Sequence, residues 1–142
     1  MLWLLRHGDA EDGSPDAERR LTEKGRAQSE AAGAALRALG VELDACLTSP
    51  KVRAFETARL ACAPLGVEPD AEPRLAGGEF DALDLVAGRG ETVLLVGHDP
   101  DFSEAVHTLT GARVSMKKGG LAGIGEGELK VLLRPAELKR IG

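Results

Sequence analysis

The apolar positions of the chain form short continuous runs that alternate with longer periodic stretches. Continuous runs predict buried strands, at Leu2–Leu5, Asp44–Thr48 and Glu91–Val96. Apolar residues spaced three and four apart predict helices, from Thr22 to Gly40, from Ser49 to about Leu65 and from Asp101 to Thr110. Strands that alternate with helices indicate an α/β fold. We therefore expect a single-domain three-layer sandwich over residues 1–142, with a mostly parallel sheet and helices on both faces.

The helical stretches carry recognisable ends. Thr22 is a suitable N-cap for the first helix, and Gly40 is suited to end it. Ser49 and Pro50 combine a preferred N-cap with the residue favoured at the first helical position. The predicted inner face of the first helix consists of Ala27, Ala31, Ala34, Ala35 and Ala38. The inner faces of the other two are predicted at Ala54, Ala58, Ala61 and Leu65, and at Phe102, Val106 and Leu109.

The segments between these elements give weaker signals. Asp9–Arg20 is rich in polar residues, Gly and Pro and predicts an exposed loop, as does Arg74–Phe80 with its two adjacent glycines. Gly66–Pro73 contains two prolines and leaves room for a minor edge strand. A short helix is expected over Asp81–Ala87. Two final strands are expected, at Leu121–Ile124 and Leu129–Leu133, on either side of Gly125-Glu126-Gly127.

Composition narrows the functional classes. The chain has 142 residues, 43% hydrophobic and 29% charged, as in an ordinary soluble domain. Its formal charge of −5 argues against a general nucleic-acid binder. Cys46 and Cys62 lie in apolar surroundings and are expected to be buried free thiols, and no Cys or His pair has metal-ligand spacing. The apolar run Leu2–Leu5 is too short for a signal peptide or membrane span, so we expect a cytoplasmic protein without membrane association.

Basic and imidazole side chains follow the three predicted strands. Arg6 and His7 come after the first, where Gly8 allows a sharp turn; Arg53 lies one turn into the helix after the second, and His98 follows the third. The carboxyl ends of parallel strands share one edge of a sheet, so these groups are expected to meet beside a helix N-terminus. Arginine forks match phosphate oxygens, and nearby cations disfavour a charged His7. The pattern predicts a phosphoryl-binding site with a neutral, nucleophilic imidazole.

Three motifs carry a resemblance to a known family. Arg6-His7-Gly8, the stretch Ser49–Ala58 (SPKVRAFETA) and Gly97–Pro100 (GHDP) resemble those of the histidine phosphatase superfamily, with its phosphoglycerate mutase-like fold. The short chain, the opening RHGDA and Arg20–Gly25 (RLTEKG) are most similar to the SixA-type phosphohistidine phosphatases. The resemblance implies that His7 is the nucleophile and that Arg6, Arg53 and His98 bind the phosphate, with no cofactor or metal.

The general acid is left open by the sequence. Related mutases and ester phosphatases use a carboxylate to protonate the leaving oxygen, and four candidates are present. Glu79, or less favourably Asp81, lies between the second helix and the third strand, whereas Asp99 directly follows the second histidine. Asp9 is the fourth, and Asp99 is equally suited to capping the helix that follows Pro100. An imidazole leaving group needs less protonation than an alkoxide, which modestly favours a phosphohistidine substrate.

Three functions remain in competition. The leading one is a phosphatase acting on phosphohistidine in a phosphocarrier or phosphotransfer domain. The alternatives are a phosphatase for small phosphate esters and a non-catalytic module that binds phosphorylated partners. The predicted loops leave little sequence for a lid, so we expect a shallow, open cleft, which suits a protein-borne substrate. Lys117 and Lys118 either border that cleft or belong to a solvated loop.

Overall fold

A six-stranded mixed sheet forms the centre of the computed structural model, which describes all 142 residues. The strands are β1 (Leu2–Arg6), β2 (Ala45–Thr48), β3 (Pro69–Ala71), β4 (Val93–Gly97), β5 (Leu121–Gly125) and β6 (Glu128–Leu133). Their order across the sheet is β3-β2-β4-β1-β5-β6. The first four are mutually parallel, β5 pairs antiparallel with β1, and β6 pairs antiparallel with β5. The predicted, mostly parallel α/β sheet is therefore confirmed.

Helices cover both faces of the sheet and bury it. They are α1 (Glu23–Ala38), α2 (Val52–Cys62), α3 (Ala82–Val86), α4 (Asp101–Thr110) and α5 (Pro135–Ile141). Successive β1 residues point to opposite faces, as the strand period requires. Trp3 and Leu5 pack with side chains of α1, α2 and α5, whereas Leu2 and Leu4 pack with those of α3 and α4. Two hydrophobic cores on either side of one sheet give the predicted three layers.

The predicted inner face of α1 is correct at Ala35, which is buried, and half-buried at Ala31 and Ala34, but it is wrong at both ends. Thr22 caps the helix as expected, accepting a hydrogen bond from the Gly25 amide, but Ala27 and Ala38 are exposed. The buried positions are Gly25, Ser29, Ala32, Gly33, Ala35 and Leu36. Alanine is common on all sides of this helix, so its spacing does not identify the buried face. The buried face instead follows two glycines and a serine, which let the helix backbone approach its neighbours closely.

The start of α2 also differs from the prediction. The helix begins at Val52, with Lys51 as N-cap, so Ser49 and Pro50 precede it instead of opening it. The Ser49 hydroxyl accepts a hydrogen bond from the Lys51 amide but also contacts His98, which draws it away from a capping role. The predicted inner face is confirmed at Ala54, Ala58 and Ala61, all fully buried.

The weaker predictions fared differently. The Asp9–Arg20 loop is largely irregular, with one short 3₁₀ turn at Asp16–Glu18, and the edge strand and the Asp81-capped α3 form as expected. The β5–β6 hairpin turns through Glu126 and Gly127, both with positive φ.

Helix α5 was not predicted, although Pro135 at its start is a usable signal. Both cysteines are buried and free, and none of the helices is long and apolar enough to cross a membrane.

Candidate active site

The three strand-to-helix junctions converge on one cavity of about 300 Å³ at the carboxyl edge of the parallel strands. All four residues of the predicted phosphoryl site lie in it. We call it the His7 cavity; its lining comprises Arg6, His7, Arg19, Lys51, Arg53, Ala76, Gly77, His98, Asp99, Asp101 and Lys118. Five of these side chains are basic and two are acidic, in a chain whose formal charge is −5. The local field at this edge is therefore opposite in sign to that of the whole protein.

The end of β1 is held against α2 by a hydrogen bond to a side chain and against α1 by a close approach of the two backbones. The Gly8 amide donates to Thr57 Oγ1 (3.1 Å), and that hydroxyl donates to the Arg53 carbonyl (2.8 Å). Gly8 does not adopt a positive φ, so the expected reason for a glycine here is wrong. A Cβ at Gly8 would stand 2.5 Å from the Gly25 carbonyl oxygen, which means that only glycine fits between β1 and α1. These contacts position His7 and Arg53 side by side.

His7 is prepared as a neutral imidazole with one free nitrogen. Its Nδ1 lies 2.7 Å from the Gly8 carbonyl oxygen. A carbonyl can only accept, so Nδ1 carries the proton and Nε2 keeps its lone pair. Burial, reinforced by the charges of Arg53, Arg6 and Lys118, lowers the pKa of His7 to about 4, against a partial rise from the Gly8 hydrogen bond. The expected neutral state is supported, with burial as its main cause and the cations second.

His98 faces His7 across the cavity, with ring centroids 5.2 Å apart. Its Nε2 is hydrogen-bonded to Ser49 Oγ at 2.8 Å, and its Nδ1 is buried without a partner. Burial, together with the nearby His7, Arg53 and Lys51, lowers the pKa of His98 to about 3. When the Ser49 hydroxyl donates to Nε2, the proton of the neutral ring resides on Nδ1, the nitrogen left without a partner.

Arg6 and Arg53 are each hydrogen-bonded to the protein through Nη atoms and have an Nε without a partner. Arg6 Nη1 donates to the Met116 carbonyl (2.7 Å), and Arg53 donates to the carbonyl and carboxylate of Asp16. Both Nε atoms are buried without partners. Five buried side-chain nitrogens or oxygens in the whole protein lack a partner, and three of them belong to Arg6, Arg53 and His98. Buried polar groups are normally satisfied, so this concentration identifies a site for a ligand rich in acceptor oxygens.

The candidate acids are dispersed. Glu79 and Asp81 line a different cavity of about 630 Å³ between the 79–83 segment and α4, which we call the Glu79 groove. Asp9 accepts from the Thr22 hydroxyl and lies 3.6 Å from Lys118, outside the His7 cavity lining. Only Asp99 lines the His7 cavity, and both of its oxygens accept hydrogen bonds from the Ser103 hydroxyl, one also from the Ser103 amide. Its capping interaction is thus present, and no candidate is poised as a free acid.

Several site residues were not anticipated from the sequence. Ser49 contacts His98, Asp16 holds Arg53, and Arg19 and Lys51 line the His7 cavity. Lys51 and Ser49 lie inside the SPKVRAFETA motif, so their position was a usable signal, whereas nothing distinguished Asp16 in its polar loop. Lys118 lines the cavity and Lys117 does not. No cluster of three or more His, Cys, Asp or Glu side chains has a geometry that could hold a metal ion.

Comparison with known proteins assigns the family. The family model of the histidine phosphatase superfamily (branch 1) matches residues 2–87, which include β1, α1, β2 and α2. The chain belongs to the histidine phosphatase superfamily. It is therefore a phosphatase, a hydrolase that acts on phosphoryl groups.

Relatives of this histidine phosphatase match along most of its length. An uncharacterized protein of Picosynechococcus is 34% identical over 92% of this chain and 87% of its own. The protein histidine phosphatase SixA complexed with tungstate has a TM-score of 0.85 at 24% identity, with 97% of this chain and 99% of that chain covered. A putative phosphohistidine phosphatase SixA from Nakamurella multipartita gives 0.82 at 25% identity, with 94% and 95% covered. The fold is thus SixA-like from end to end.

Proposed function

We propose that this phosphatase removes the phosphoryl group from phosphohistidine in a protein, a phosphocarrier or phosphotransfer domain, through a covalent intermediate on His7. The observation that carries the proposal is the set of unpartnered buried nitrogens on Arg6, Arg53 and His98, three residues that line the same cavity as His7 with its free Nε2. A phosphoryl group offers three equatorial oxygens to three such donors while its phosphorus faces an in-line nucleophile. A carboxylate could also accept from these donors, but it has no phosphorus for His7 to attack.

In the first step the lone pair of His7 Nε2 attacks phosphorus and the P–N bond of the substrate breaks. The leaving imidazole keeps the electron pair of that bond and takes up a proton from the solvent to which the cavity is open. Arg6 and Arg53 stabilise the charge on the equatorial oxygens, and His98 donates to one of them from the side. The low pKa of His7 keeps Nε2 unprotonated at neutral pH, which a nucleophile requires.

In the second step water attacks the phosphorus of phospho-His7. The P–Nε2 bond breaks, its electron pair returns to Nε2, and the water proton passes to the departing phosphate or to solvent. Inorganic phosphate is released and His7 regains its starting state. Splitting one hydrolysis into two transfers lowers each barrier. No cofactor enters either step.

Two features favour phosphohistidine over a phosphate ester. An alkoxide leaving group needs a proton donor, yet Glu79 and Asp81 lie outside the His7 cavity. The two carboxylates that line it already accept hydrogen bonds, Asp99 from Ser103 and Asp101 from the Gly78 amide. An imidazole leaves with less help. The His7 cavity is also open to solvent, with His7 itself buried just below its surface. An open site admits a side chain that projects from a folded protein.

Rapid-quench labelling tests the covalent step. The enzyme is mixed with a ³²P-labelled phosphocarrier protein phosphorylated on histidine, and the label on the enzyme is measured after acid and after base treatment. We expect acid-labile, base-stable label on the wild type and none on His7→Ala, with turnover lowered at least about 10³-fold. His107→Ala, which removes an exposed histidine of α4, is the matched control and should label normally.

A substrate panel tests the leaving group. Initial rates are compared on the phosphohistidine protein, on p-nitrophenyl phosphate and on glycerol phosphate. We expect the order phosphohistidine, aryl ester, alkyl ester, because the demand for protonation rises along it. Faster turnover of glycerol phosphate would favour the small-ester function. Tight phosphate binding without label or turnover on any compound would leave the non-catalytic binding module.

A further inference from the structure

Asp16 contacts three of the cationic side chains that line the His7 cavity, but it is not itself part of the lining. Its Oδ2 accepts from Arg53 Nη2 (3.2 Å) and lies 3.3 Å from Lys51 Nζ, and its Oδ1 accepts from Arg19 Nη1 (3.0 Å). Its backbone carbonyl accepts a further bond from Arg53 Nη1 (2.9 Å). These charged partners hold the pKa of Asp16 below its ordinary value, with the Arg19 hydrogen bond first among the causes. Asp16 is therefore a negatively charged anchor on the outer side of the site.

The geometry of the guanidinium shows which donors Asp16 uses. A guanidinium can bind an oxyanion through two of its edges, one formed by Nη1 and Nη2 and the other by Nε and Nη2. Asp16 occupies the Nη1–Nη2 edge of Arg53 with its carbonyl and carboxylate. The Nε–Nη2 edge is left over, with Nε buried and unpartnered and a second Nη2 proton still available. That edge provides two parallel donors for a phosphoryl group.

Arg6 is held in the same way by an uncharged group. Its Nη1 donates to the Met116 carbonyl, and its Nε is also buried without a partner. Both arginines are therefore anchored through Nη1 and keep the Nε side unused. The two anchors come from different loops, so the shared arrangement follows from the site and not from a local sequence pattern.

We propose that Asp16 is a positioning residue that fixes Arg53 with its Nε–Nη2 edge presented to the phosphoryl group and holds Arg19 and Lys51 at the rim of the cavity. This inference rests on the proposed phosphoryl transfer at His7. The side chain of Asp16 is 55% exposed and that of Arg53 is 7% exposed, so the anchor reaches from solvent to a buried guanidinium. Exposed ion pairs contribute little to stability, and the loss of Asp16 should appear in catalysis before it appears in folding.

The test compares Asp16→Ala and Asp16→Glu with Asp12→Ala. Asp12 lies in the same exposed loop, carries the same charge and has no side-chain hydrogen bond or ion pair. The measurements are kcat and KM on p-nitrophenyl phosphate and on the phosphohistidine protein, the dissociation constant of inorganic phosphate by calorimetry, and the thermal midpoint. We expect Asp16→Ala to lower kcat by about 10- to 100-fold, as misplaced catalytic groups do, and to weaken phosphate binding by a smaller factor. Asp16→Glu should recover part of the loss, and Asp12→Ala should stay within about twofold of the wild type.

Two results would overturn the inference. If Asp16→Ala binds phosphate more tightly and retains its kcat, Asp16 competes with the substrate and does not position Arg53. If Asp12→Ala causes equal losses, or if Asp16→Ala loses activity only in step with its thermal midpoint, the effect is one of charge or folding. A wild type that turns over no phosphorylated compound would refute the proposed function separately. The phosphate dissociation constants would still test Asp16. Weaker phosphate binding by Asp16→Ala would support the positioning role, and tighter binding would contradict it.

Discussion

The His7 cavity and the Glu79 groove share Asp101 in their linings, but they differ in size, polarity and charge. The Glu79 groove is about twice as large, at 630 Å³ against 300 Å³, and half of its lining residues are hydrophobic. Its charged residues are all acidic: Glu79, Asp81, Asp101 and Glu104. The His7 cavity is small, its charged residues are mostly basic, and three of its side chains carry a buried nitrogen that lacks a partner. Unsatisfied donors, and not volume, distinguish the site that can bind a phosphoryl group.

Among the variants that test this contrast, Arg53→Lys should have the largest effect on activity. Lysine keeps the charge but cannot offer two parallel N–H donors along one edge, so the contact with the phosphoryl oxygens is reduced to a single point. We expect kcat/KM to fall by about 10²- to 10³-fold, the usual cost of a lost transition-state donor. Arg59→Lys, on the exposed side of the same helix, is the control. Equal losses in the two variants would mean that only the charge of α2 matters.

A smaller loss is expected from Ser49→Ala. Without the hydroxyl, Nε2 of His98 has no partner and the ring proton is no longer directed to Nδ1, so His98 donates less well to the substrate. The expected fall in kcat is about fivefold to tenfold, equivalent to one hydrogen bond. Ser29→Ala removes another fully buried serine hydroxyl, which donates to the Gly25 carbonyl away from the cavity. If kcat falls equally in both variants, the tautomer argument fails.

The two buried imidazoles should also make stability depend on pH. The folded pKa values of His7 and His98, about 4 and about 3, lie below the ordinary 6.5, so below pH 6.5 the unfolded chain binds protons that the folded chain does not. The free energy of unfolding should therefore fall as the pH drops from about 6.5 towards 4, by up to about 1.4 kcal/mol per pH unit for each imidazole.

Urea denaturation at pH 7, 6 and 5 measures this dependence. The slope should shrink in the His7→Asn/His98→Asn double variant and persist in His107→Asn, whose ring is exposed. An unchanged slope of stability against pH in the double variant would show that the His7 cavity does not hold its histidines neutral.

The smallest effect on activity is expected from a substitution in the Glu79 groove. Glu79 is exposed and lies outside the His7 cavity, so Glu79→Gln should leave kcat on p-nitrophenyl phosphate within about twofold of the wild type. Asp99→Asn is measured beside it for comparison, because Asp99 is the candidate acid that does line the His7 cavity. A selective loss of ester turnover in Glu79→Gln, with phosphohistidine turnover unchanged, would identify Glu79 as the acid that protonates an ester and join the groove to the site.

The positions of Arg6, His7, Arg53 and His98 could be anticipated because each follows a strand or opens a helix at one edge of a parallel sheet. That rule needs only the order of elements, which the apolar runs provide. The predictions that rested on local spacing and capping were less successful. Alanines on every side of α1 hide its buried face, and the Ser49 hydroxyl contacts His98 and the Lys51 amide instead of capping α2. The unpredicted α5 is a seven-residue helix that packs against α1 and has no long apolar period of its own.

The sequence by itself determined the α/β fold and the family, and it predicted the four residues that meet in the His7 cavity, because these depend on local patterns and on motifs continuous in the chain. The tertiary structure alone decided how those residues are oriented. Arg53 is anchored by a residue 37 positions away and His98 by one 49 positions away, and the candidate acids fall into two cavities that no spacing distinguishes. Hydrogen bonds between such distant residues form only when the sheet brings its loops together, so the donors left free for a ligand become visible only in three dimensions.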